Sequence, residues 1–334
     1  MRVAKVNGFV ITLFSFCKSF EMVLVITTKS LDFLYFLYYT ITIFNVRTKF
    51  MLHFIVNIKS GRGKALKSVR KITDYCALHA IEYSLHITRY HGHGAEIAKE
   101  LSLIPDTIIV AIGGDGTFHE VINGIENFDN VTVGFIPCGR GNDFARTAKF
   151  KKKPVEALKD ILKGEITYYD YIQVGNKRCL NVAGTGMDVD VLLRVDGSTK
   201  KLTYLKSLIT CLAKFKPYKI TVTVNGETNS YDCIMVGVCN GRAIGGNMKI
   251  CPFAEIDDGQ LELVIVTVPN GRIAPCIPKF LTGKHIGQYW TIHTPCESVL
   301  IESENPVQLD GEIYKDLTLD CKIVKKGIKT FKIN

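Results

Sequence analysis

The stretch best suited to chemistry is a run of five residues, Gly113-Gly114-Asp115-Gly116-Thr117. The β-branched run 107–112 before it is typical of a buried parallel strand, and apolar residues recur at helical spacing after it. A glycine-rich turn between a strand and a helix lets backbone N–H groups approach phosphate oxygens, and the helix dipole adds to that attraction. A carboxylate in such a turn is costly unless a cation lies beside it, so Asp115 predicts a nucleotide bound with a divalent metal.

A second turn of the same kind follows the next strand. The run 131–136 is typical of a buried strand, and 137–145 (PCGRGNDFA) continues it with a glycine-rich turn and a helix start that Asn142 or Asp143 could cap. Two such turns at the ends of successive parallel strands form one crevice, where open α/β sheets bind ligands. The chain contains neither a Walker-type phosphate loop nor a G-x-G-x-x-G that opens a first βαβ unit.

These turns resemble the catalytic domain of diacylglycerol kinases, in particular the soluble bacterial lipid kinases related to them and to sphingosine kinases. The segment 57–63 (NIKSGRG) is similar to the family's N-P-x-S-G nucleotide loop, with Ile58 where proline is usual. Thr88 and the segment 91–95 (HGHGA) resemble the family's threonine and G-H-A segment. The resemblance extends from about Met51 to the C-terminus.

The resemblance implies a kinase that transfers the γ-phosphoryl group of ATP to a lipid hydroxyl, with diacylglycerol as the first choice of acceptor. Arg140 stands where a threonine of the family commonly contacts the nucleotide. The residues expected to bind ATP are Asn57, Ser60, Gly61, Thr88, Gly113, Gly114, Asp115, Gly116, Thr117, Arg140 and Asn142.

The segment 254–261 (AEIDDGQL) is similar to the family's D-D-G-x-L metal segment. By that resemblance, Asp258 would bind Mg²⁺ together with backbone or side-chain groups near Glu255 and Gln260. Asp258-Gly259 alone would be weak evidence, because Asp-Gly is common in hairpin turns.

The segment 309–312 (LDGE) matches the family's L-D-G-E signature. We expect Glu312 to be the base for the acceptor hydroxyl, with Asp310 as the alternative base or metal partner. Two carboxylates two residues apart can share a site through a turn at Gly311, where their repulsion would raise one proton affinity.

Two other functions stay open. NAD kinases share the G-G-D-G-T motif, but that assignment leaves 309–312 and the P-x-G-x-x-N-D segment unexplained. A non-catalytic nucleotide- or lipid-binding protein is the other alternative, since Ile58 and Arg140 depart from the family pattern.

Charge and composition restrict the partners. The 334-residue chain has a formal net charge of +10 at pH 7, which favours anionic partners such as lipid headgroups or nucleic acid. No zinc-finger spacing, RNP-like aromatic pattern or helix-turn-helix signal is present, so nucleic acid is not expected. The eleven cysteines are dispersed without a C-x-x-C pair and indicate reduced thiols. We therefore expect a cytoplasmic protein that contacts anionic membranes peripherally.

The first fifty residues do not share this pattern. Their apolar runs are interrupted by charges and are shorter than the roughly 18–20 residues of a spanning helix. Our leading hypothesis is that translation starts at Met51 and that 1–50 lie outside the fold. The alternative is a membrane-attaching extension.

The order of predicted elements indicates an α/β class with two domains. Alternating strands and helices over 51–165, with helices at about 64–80 and 95–101 and a strand at 83–89, predict a parallel nucleotide-binding sheet. From 166 to 334 we expect a mostly antiparallel β-sandwich with a hairpin turn at 224–227 (VNGE). A mainly helical insertion is expected at 188–215, with a break at 196–198 (DGS). The active site should lie in the cleft between the two domains. The strands predicted in the second domain are 168–174, 178–183, 218–224, 231–239, 261–268 and 297–302.

Overall fold

The computed structural model describes residues 2–6, 9–15, 22–28, 51–195, 216–268, 278–279 and 282–333. Residues 1–50 form a unit of their own, and residues 51–334 form the other. The first unit contains one antiparallel sheet of three strands in chain order: β1 (Arg2–Val6), β2 (Phe9–Ser15) and β3 (Met22–Thr28). Both hypotheses about this segment stay predictions.

The N-terminal lobe of the second unit is a parallel sheet in the order β5-β4-β6-β7. Its strands are β4 (Leu52–Val56), β5 (Tyr83–Ile87), β6 (Thr107–Gly113) and β7 (Val131–Pro137). Its helices are α1 (Lys64–Leu78), α2 (His93–Leu101), α3 (Asp115–Gly124), α4 (Asp143–Thr147) and α5 (Pro154–Lys163). Two 3₁₀ helices, Ser60–Arg62 and Phe128–Asn130, complete the lobe.

Apolar residues on both faces of this sheet explain its layered arrangement. On one face, α1 and α5 bury residues such as Ile72 and Leu158 against the strands. On the other face, α2, α3 and α4 cover residues such as Phe135, whose ring stacks on that of Phe118 at a centroid distance of 4.4 Å. Each large apolar side chain buried in this way contributes about 1.5–3 kcal/mol. Helices therefore pack against both faces of the parallel sheet.

The C-terminal lobe is β-rich and antiparallel, as predicted. Its strands pair in the order β19-β18-β10-β12-β11-β17-β20, with β15 on β12, β16 on β15, β8 on β20 and β9 on β8. Helix α6 spans Met187–Val195. The strands are β8 (Ile166–Val174), β9 (Lys177–Cys179), β10 (Val182–Gly186), β11 (Tyr218–Val224), β12 (Glu227–Cys239), β13 (Ala243–Ile244), β14 (Met248–Lys249), β15 (Leu261–Thr267), β16 (Thr291–Cys296), β17 (Ser298–Glu302), β18 (Val307–Leu309), β19 (Glu312–Tyr314) and β20 (Leu319–Phe331).

Strand β20 connects the two lobes. It pairs antiparallel with β8, and near its end Thr330 pairs in parallel with Val133 of β7. The Thr330 hydroxyl also donates a hydrogen bond of 2.6 Å to the Val133 carbonyl. One hydrogen-bonded sheet therefore runs from the parallel lobe into the antiparallel one, which fixes the position of the two lobes relative to each other.

Several local predictions can be compared with this fold. The hairpin at 224–227 is confirmed: Asn225 and Gly226 have φ of 51° and 83°, as a two-residue type I′ turn requires. The strand predicted at 178–183 is wrong, because the chain leaves the sheet between β9 and β10. Only the first part of the helical segment predicted at 188–215 is described, as α6, because 196–215 lie outside the described residues. Among the described residues, no helix has the length and apolar character needed to cross a bilayer.

Candidate active site

Three loops meet at the carboxyl ends of β4, β6 and β7. The Asn57 N–H donates to the Ile112 carbonyl at 3.1 Å, which joins the loop after β4 to the end of β6. The Cys138 N–H donates to the Gly113 carbonyl at 2.6 Å, which joins the loop after β7 to the same strand end. Three of the predicted nucleotide-binding segments therefore lie side by side, and the surface between them is the predicted nucleotide crevice.

Glycine is required where these loops approach each other most closely. A Cβ at Gly61 would overlap the carbonyl oxygen of Cys138, and Gly61 also has a φ of 61°. A Cβ at Gly139 would lie 2.5 Å from the Gly114 Cα. The Ser60 hydroxyl lies 3.3 Å from the position that a Gly114 Cβ would take. This close approach beside the first turn of α3 is what a phosphate-binding turn requires.

Asp115 is the first residue of α3 and lies against the loop after β7. Its Oδ1 accepts a hydrogen bond from the Phe144 N–H at 3.4 Å, and a Cβ at Gly141 would lie 2.8 Å from its Oδ2. Burial, followed by the charge of Asp143, raises the pKa of Asp115 to about 6, and backbone N–H groups oppose this only in part. A divalent cation beside Asp115 would relieve this penalty.

Asn142 does not cap α4 through its side chain, so the predicted capping role is wrong for this residue. It precedes the helix in the left-handed region, with φ of 50°, and its side-chain amide donates to the Gly139 carbonyl at 3.0 Å. Its Oδ1 is buried without a hydrogen-bond partner. A buried acceptor of this kind fits a donor group of a bound nucleotide.

Arg140 lies at the exposed rim of the crevice. Partial desolvation, followed by the nearby charge of Arg62, lowers its pKa, but a guanidinium stays charged at neutral pH. Two arginines from different loops therefore place positive charge at the rim, which suits polyphosphate even though a threonine is usual at position 140.

The predicted segment after β5 lies beside these loops. The Thr88 hydroxyl donates to the Val56 carbonyl at 3.3 Å, so Thr88 lies next to the end of β4. The N–H groups of Gly92 and Gly94 donate to the two carboxylate oxygens of Glu120 on α3, at 2.9 and 3.1 Å. Glu120 therefore fixes the loop that precedes α2.

The L-D-G-E motif forms the hairpin turn between β18 and β19. Asp310 has a φ of 54°, its side chain is only 5% exposed, and its carboxylate accepts from the N–H groups of Leu180 and Asn181 at 2.7 Å each. His119 lies 3.1 Å from the same carboxylate. Burial alone would raise the pKa of Asp310, but His119 and the backbone donors outweigh it and hold the pKa below its usual value.

This arrangement separates the roles of the two acids. We expected repulsion to raise the proton affinity of one of the two acids. For Asp310 this is wrong, because hydrogen-bond donors surround its carboxylate and favour the charged form. Those donors also explain the break between β9 and β10, since Leu180 and Asn181 turn their N–H groups to Asp310 instead of to a neighbouring strand. The geometry therefore favours Asp310 as an anchor of the turn.

Glu312 faces the G-G-D-G-T turn. A Cβ at Gly116 would lie 3.3 Å from its Oε1, and its Oε2 lies 3.8 Å from the Nε2 of His91. The Glu312 side chain is 36% exposed, so a ligand bound beside this turn can contact it. A carboxylate from the C-terminal lobe thus lies against the first turn of α3, as a base beside bound phosphate requires.

Helix α3 is tied to the C-terminal lobe along its length. In addition to the His119–Asp310 pair, the Arg178 guanidinium donates to the carbonyls of Ile122 and Ile125, at 2.9 and 2.8 Å. Asn123 exchanges hydrogen bonds with the Arg178 backbone at 2.9 Å in both directions. The helix that begins at Asp115 therefore has a fixed position relative to the Glu312 hairpin.

The predicted metal segment lies in the loop before β15. Asp258 Oδ1 accepts from the Gln260 N–H at 3.0 Å, and the Gly259 N–H donates to buried Asp170 at 2.7 Å. Burial, followed by the charges of Glu262, Glu255 and Asp170, raises the pKa of Asp258. An acidic loop of this kind fits a hard divalent cation such as Mg²⁺.

Sequence reasoning missed the residues that hold these parts together. A signal was present, because His119 and Asn123 are polar residues at i and i+4 on the otherwise apolar face of α3. Arg178 and the contact of His91 with Glu312 gave no local signal, since their partners are distant in the chain.

Two protein-family models match most of residues 51–334. Residues 51–174 match the family described as the diacylglycerol kinase catalytic domain, and residues 181–331 match the YegS C-terminal NAD kinase beta sandwich-like domain. The diacylglycerol kinase of Bacillus subtilis strain 168 is 28% identical over 267 residues, which cover 77% of this chain and 88% of the relative. A crystal structure of a diacylglycerol kinase from Bacillus anthracis str. Sterne has the same fold, with a TM-score of 0.65 at 23% identity over 85% of this chain and 97% of that one.

The fold and the loops are those of a kinase of the class that phosphorylates lipids. Residues 51–174 belong to the diacylglycerol kinase catalytic domain family, and residues 181–331 to the YegS-type C-terminal domain that follows it. Membership in a lipid kinase family implies the use of ATP and a lipid substrate.

Proposed function

We propose that this protein transfers the γ-phosphoryl group of ATP to the free hydroxyl of diacylglycerol, giving phosphatidic acid. The observation that carries the proposal is the position of the Glu312 carboxylate against Gly116, at the start of the helix that follows the predicted phosphate-binding turn. Phosphoryl transfer needs a base close to the bound phosphates. Here the C-terminal lobe supplies the acid and the N-terminal lobe supplies the phosphate-binding turn.

In this proposal the nucleotide lies along the crevice. Ser60 and Gly61, with the turn 113–117, surround the phosphates, and Arg140 adds positive charge at the rim. The unpartnered Oδ1 of Asn142 accepts a hydrogen bond on the adenosine side. Asn57 and Thr88 support the loop walls, because their polar side-chain atoms are engaged with nearby backbone groups.

Glu312 acts as the base. Its carboxylate takes the proton of the lipid hydroxyl while the hydroxyl oxygen bonds to the γ-phosphorus and the bond to the ADP oxygen breaks. Asp310 does not take part in proton transfer but holds the turn that aims Glu312. His91 lies between Glu120 and Glu312 and orients the base from the loop before α2.

Magnesium has two suitable places in the described part of the chain. Asp115 would share a cation with the nucleotide phosphates, which offsets the cost of its burial. Asp258, with groups of Glu255 and Gln260, would bind a second ion that rigidifies the loop before β15. Such an ion supplies charge neutralisation at the phosphates or order in the loop.

The acceptor is a membrane lipid, so the protein must approach a bilayer. Lys149, Lys152 and Lys153 are exposed on the segment between α4 and α5. A lysine near an anionic surface contributes about 1 kcal/mol to binding. We therefore propose transient peripheral contact through basic residues of this kind.

The test is phosphorylation with γ-³²P-labelled ATP. Total lipid extract is assayed first, then dispersed diacylglycerol, monoacylglycerol, ceramide, a sphingoid base and undecaprenol, with NAD in a parallel reaction. We expect label in phosphatidic acid. Label in NADP would favour an NAD kinase, and MgATP binding without transfer to any acceptor would favour a non-catalytic protein; either result overturns the proposal.

A further inference from the structure

A separate group of metal-ligating side chains lies in the C-terminal lobe. Cys251, Glu262 and His293 each point one ligand atom to the same place, and these atoms all lie within 4.8 Å of one another. None of the three belongs to the phosphoryl-transfer site proposed above. Together they offer one sulfur, one carboxylate oxygen and one imidazole nitrogen.

The pairing of β15 with β16 brings two of these side chains together. Val264 of β15 lies opposite His293 of β16, and Glu262 lies opposite Pro295. Because side chains alternate along a strand, Glu262 and Val264 share a face, so Glu262 and His293 are diagonal neighbours on it. Their side chains are in direct contact through the Glu262 carboxylate and the His293 Nε2.

Cys251 reaches this face from the loop that follows β14. The loop is held by its backbone, since the Cys251 N–H donates to the Arg242 carbonyl at 3.3 Å and the Ala254 N–H donates to the Cys251 carbonyl at 3.2 Å. Cys251 is fully buried. Its position is therefore set by the fold and not by a mobile surface loop.

The surroundings of the sulfur suit a bound cation. The backbone N–H groups of Phe253 and Ala254 point at the Cys251 sulfur. Such N–H groups stabilise a thiolate. A divalent cation held by Glu262 and the sulfur would take the place of the thiol proton.

The imidazole is also held in place. The Phe253 ring meets the His293 ring edge-on, with a centroid distance of 5.0 Å and an interplanar angle of 85°. The side chains of Glu262 and His293 are 12% and 25% exposed, so the group is open to water on one side. Three protein ligands with one side open to water can complete a four-coordinate site.

We propose that Cys251, Glu262 and His293 bind a zinc ion, with a water molecule as the fourth ligand. The sulfur and nitrogen ligands favour Zn²⁺ over Mg²⁺ or Ca²⁺, which prefer oxygen. The bound ion ties the loop that carries Cys251 to the β15–β16 pair. That loop leads directly into the acidic segment 255–260, so the ion also orders the segment proposed to bind Mg²⁺.

Metal-free full-length protein, titrated with Co²⁺ and then with Zn²⁺, tests the site. We expect a sulfur-to-cobalt absorption band that saturates at one equivalent, disappears on addition of Zn²⁺ and grows weaker as the pH falls, because binding releases the thiol proton. Cys251→Ser and His293→Ala should each weaken zinc binding at least about tenfold. Cys76→Ala, which changes a buried cysteine of α1, should leave zinc binding unchanged.

The wild-type protein alone can overturn the proposal. If Co²⁺ gives no sulfur-to-cobalt band and Zn²⁺ does not raise the melting temperature, the three side chains form only a hydrogen-bonded cluster. Equal zinc affinity in Cys251→Ser and the wild type would exclude Cys251 as a ligand. None of these readouts uses phosphoryl transfer, so their result is independent of the proposed kinase reaction.

Discussion

Asp115 and Asp310 are both buried carboxylates, but their surroundings are opposite. Burial and the charge of Asp143 raise the pKa of Asp115 to about 6. Asp310 is buried as deeply, yet the contact with His119 and the backbone donors hold its pKa below the usual value. The protein therefore stabilises the charged form of Asp310 through its own groups, but it does not stabilise the charged form of Asp115.

The difference indicates what each turn is for. Asp310 is stable without any ligand, so its turn is a fixed support from which Glu312 projects. Asp115 is costly in the free protein and becomes favourable only beside a cation, as expected of a group that binds a metal–nucleotide complex. The turn at Asp310 therefore has a structural role, and the turn at Asp115 is the one expected to bind a ligand.

The largest effect should come from Glu312→Gln. The glutamine keeps the shape of the side chain but cannot accept the proton, so kcat should fall by about 10²–10⁴-fold. The affinity for MgATP and the melting temperature should change little, because the side chain is partly exposed. Steady-state lipid phosphorylation and ATP binding measure both quantities, and a variant with more than a tenth of wild-type kcat would exclude Glu312 as the base.

Asp310→Asn should affect stability most. It removes the charge that His119 and the backbone donors face, and breaking such a buried pair costs about 3–5 kcal/mol. Because the folded pKa lies below the unfolded one, the carboxylate stabilises the fold above the unfolded value of about 3.9, and this contribution is lost as the pH falls through the folded pKa.

Urea unfolding at several pH values measures this effect. The difference between Asp310→Asn and the wild type should shrink below about pH 4, as the wild-type carboxylate becomes protonated. Asp320→Asn is the control, since the Asp320 carboxylate forms an exposed ion pair with Lys322 and its loss should cost at most about 1 kcal/mol. Equal effects at the two positions would contradict the role of Asp310 as an anchor.

Asp115→Asn should increase the stability of the free protein, whereas Asp310→Asn should decrease it. The pKa of Asp115 is higher in the folded state than in the unfolded state. The wild type therefore loses stability as the pH rises from about 4 to about 6, because the carboxylate ionises more readily in the unfolded chain. Without nucleotide, the variant should therefore be roughly 2–3 kcal/mol more stable than the wild type at pH 8 and nearly equal to it at pH 4. It should also lose most of its affinity for MgATP. If Asp115→Asn is less stable than the wild type at pH 8, the proposed contrast between Asp115 and Asp310 is wrong.

Gly116→Ala should give the smallest effect. Alanine favours a helix over glycine by about 0.5–1 kcal/mol, so the free protein should be slightly more stable. The added Cβ would lie 3.3 Å from Glu312 and shift the carboxylate by a few tenths of an ångström, which should lower kcat about three- to tenfold. Unchanged kcat would show that Glu312 does not act from this position.

Local patterns predicted the parts of the fold that depend on local chemistry. The hairpin at Asn225-Gly226 was predictable because its two positive φ values demand those residue types. The turn 113–117 was predictable for a similar reason, since a strand, a glycine-rich corner and a helix start are adjacent in the chain.

Contacts between distant segments could not be predicted in this way. Strand β20 contains lysines at 322, 325, 326 and 329, so its composition did not indicate a strand that enters the parallel sheet beside β7. The break between β9 and β10 depends on Asp310, which lies 129 residues after Asn181. The group formed by Cys251, Glu262 and His293 likewise depends on the register of β15 and β16.

The central claim is that Asp115 and Glu312 serve one phosphoryl transfer from two lobes. A double-mutant cycle with Asp115→Asn and Glu312→Gln, read as kcat/KM for diacylglycerol phosphorylation, tests it most directly. If both residues act at one site, the double variant should be no more than about threefold slower than the slower single variant. Losses that multiply, as expected for independent sites, would contradict the account.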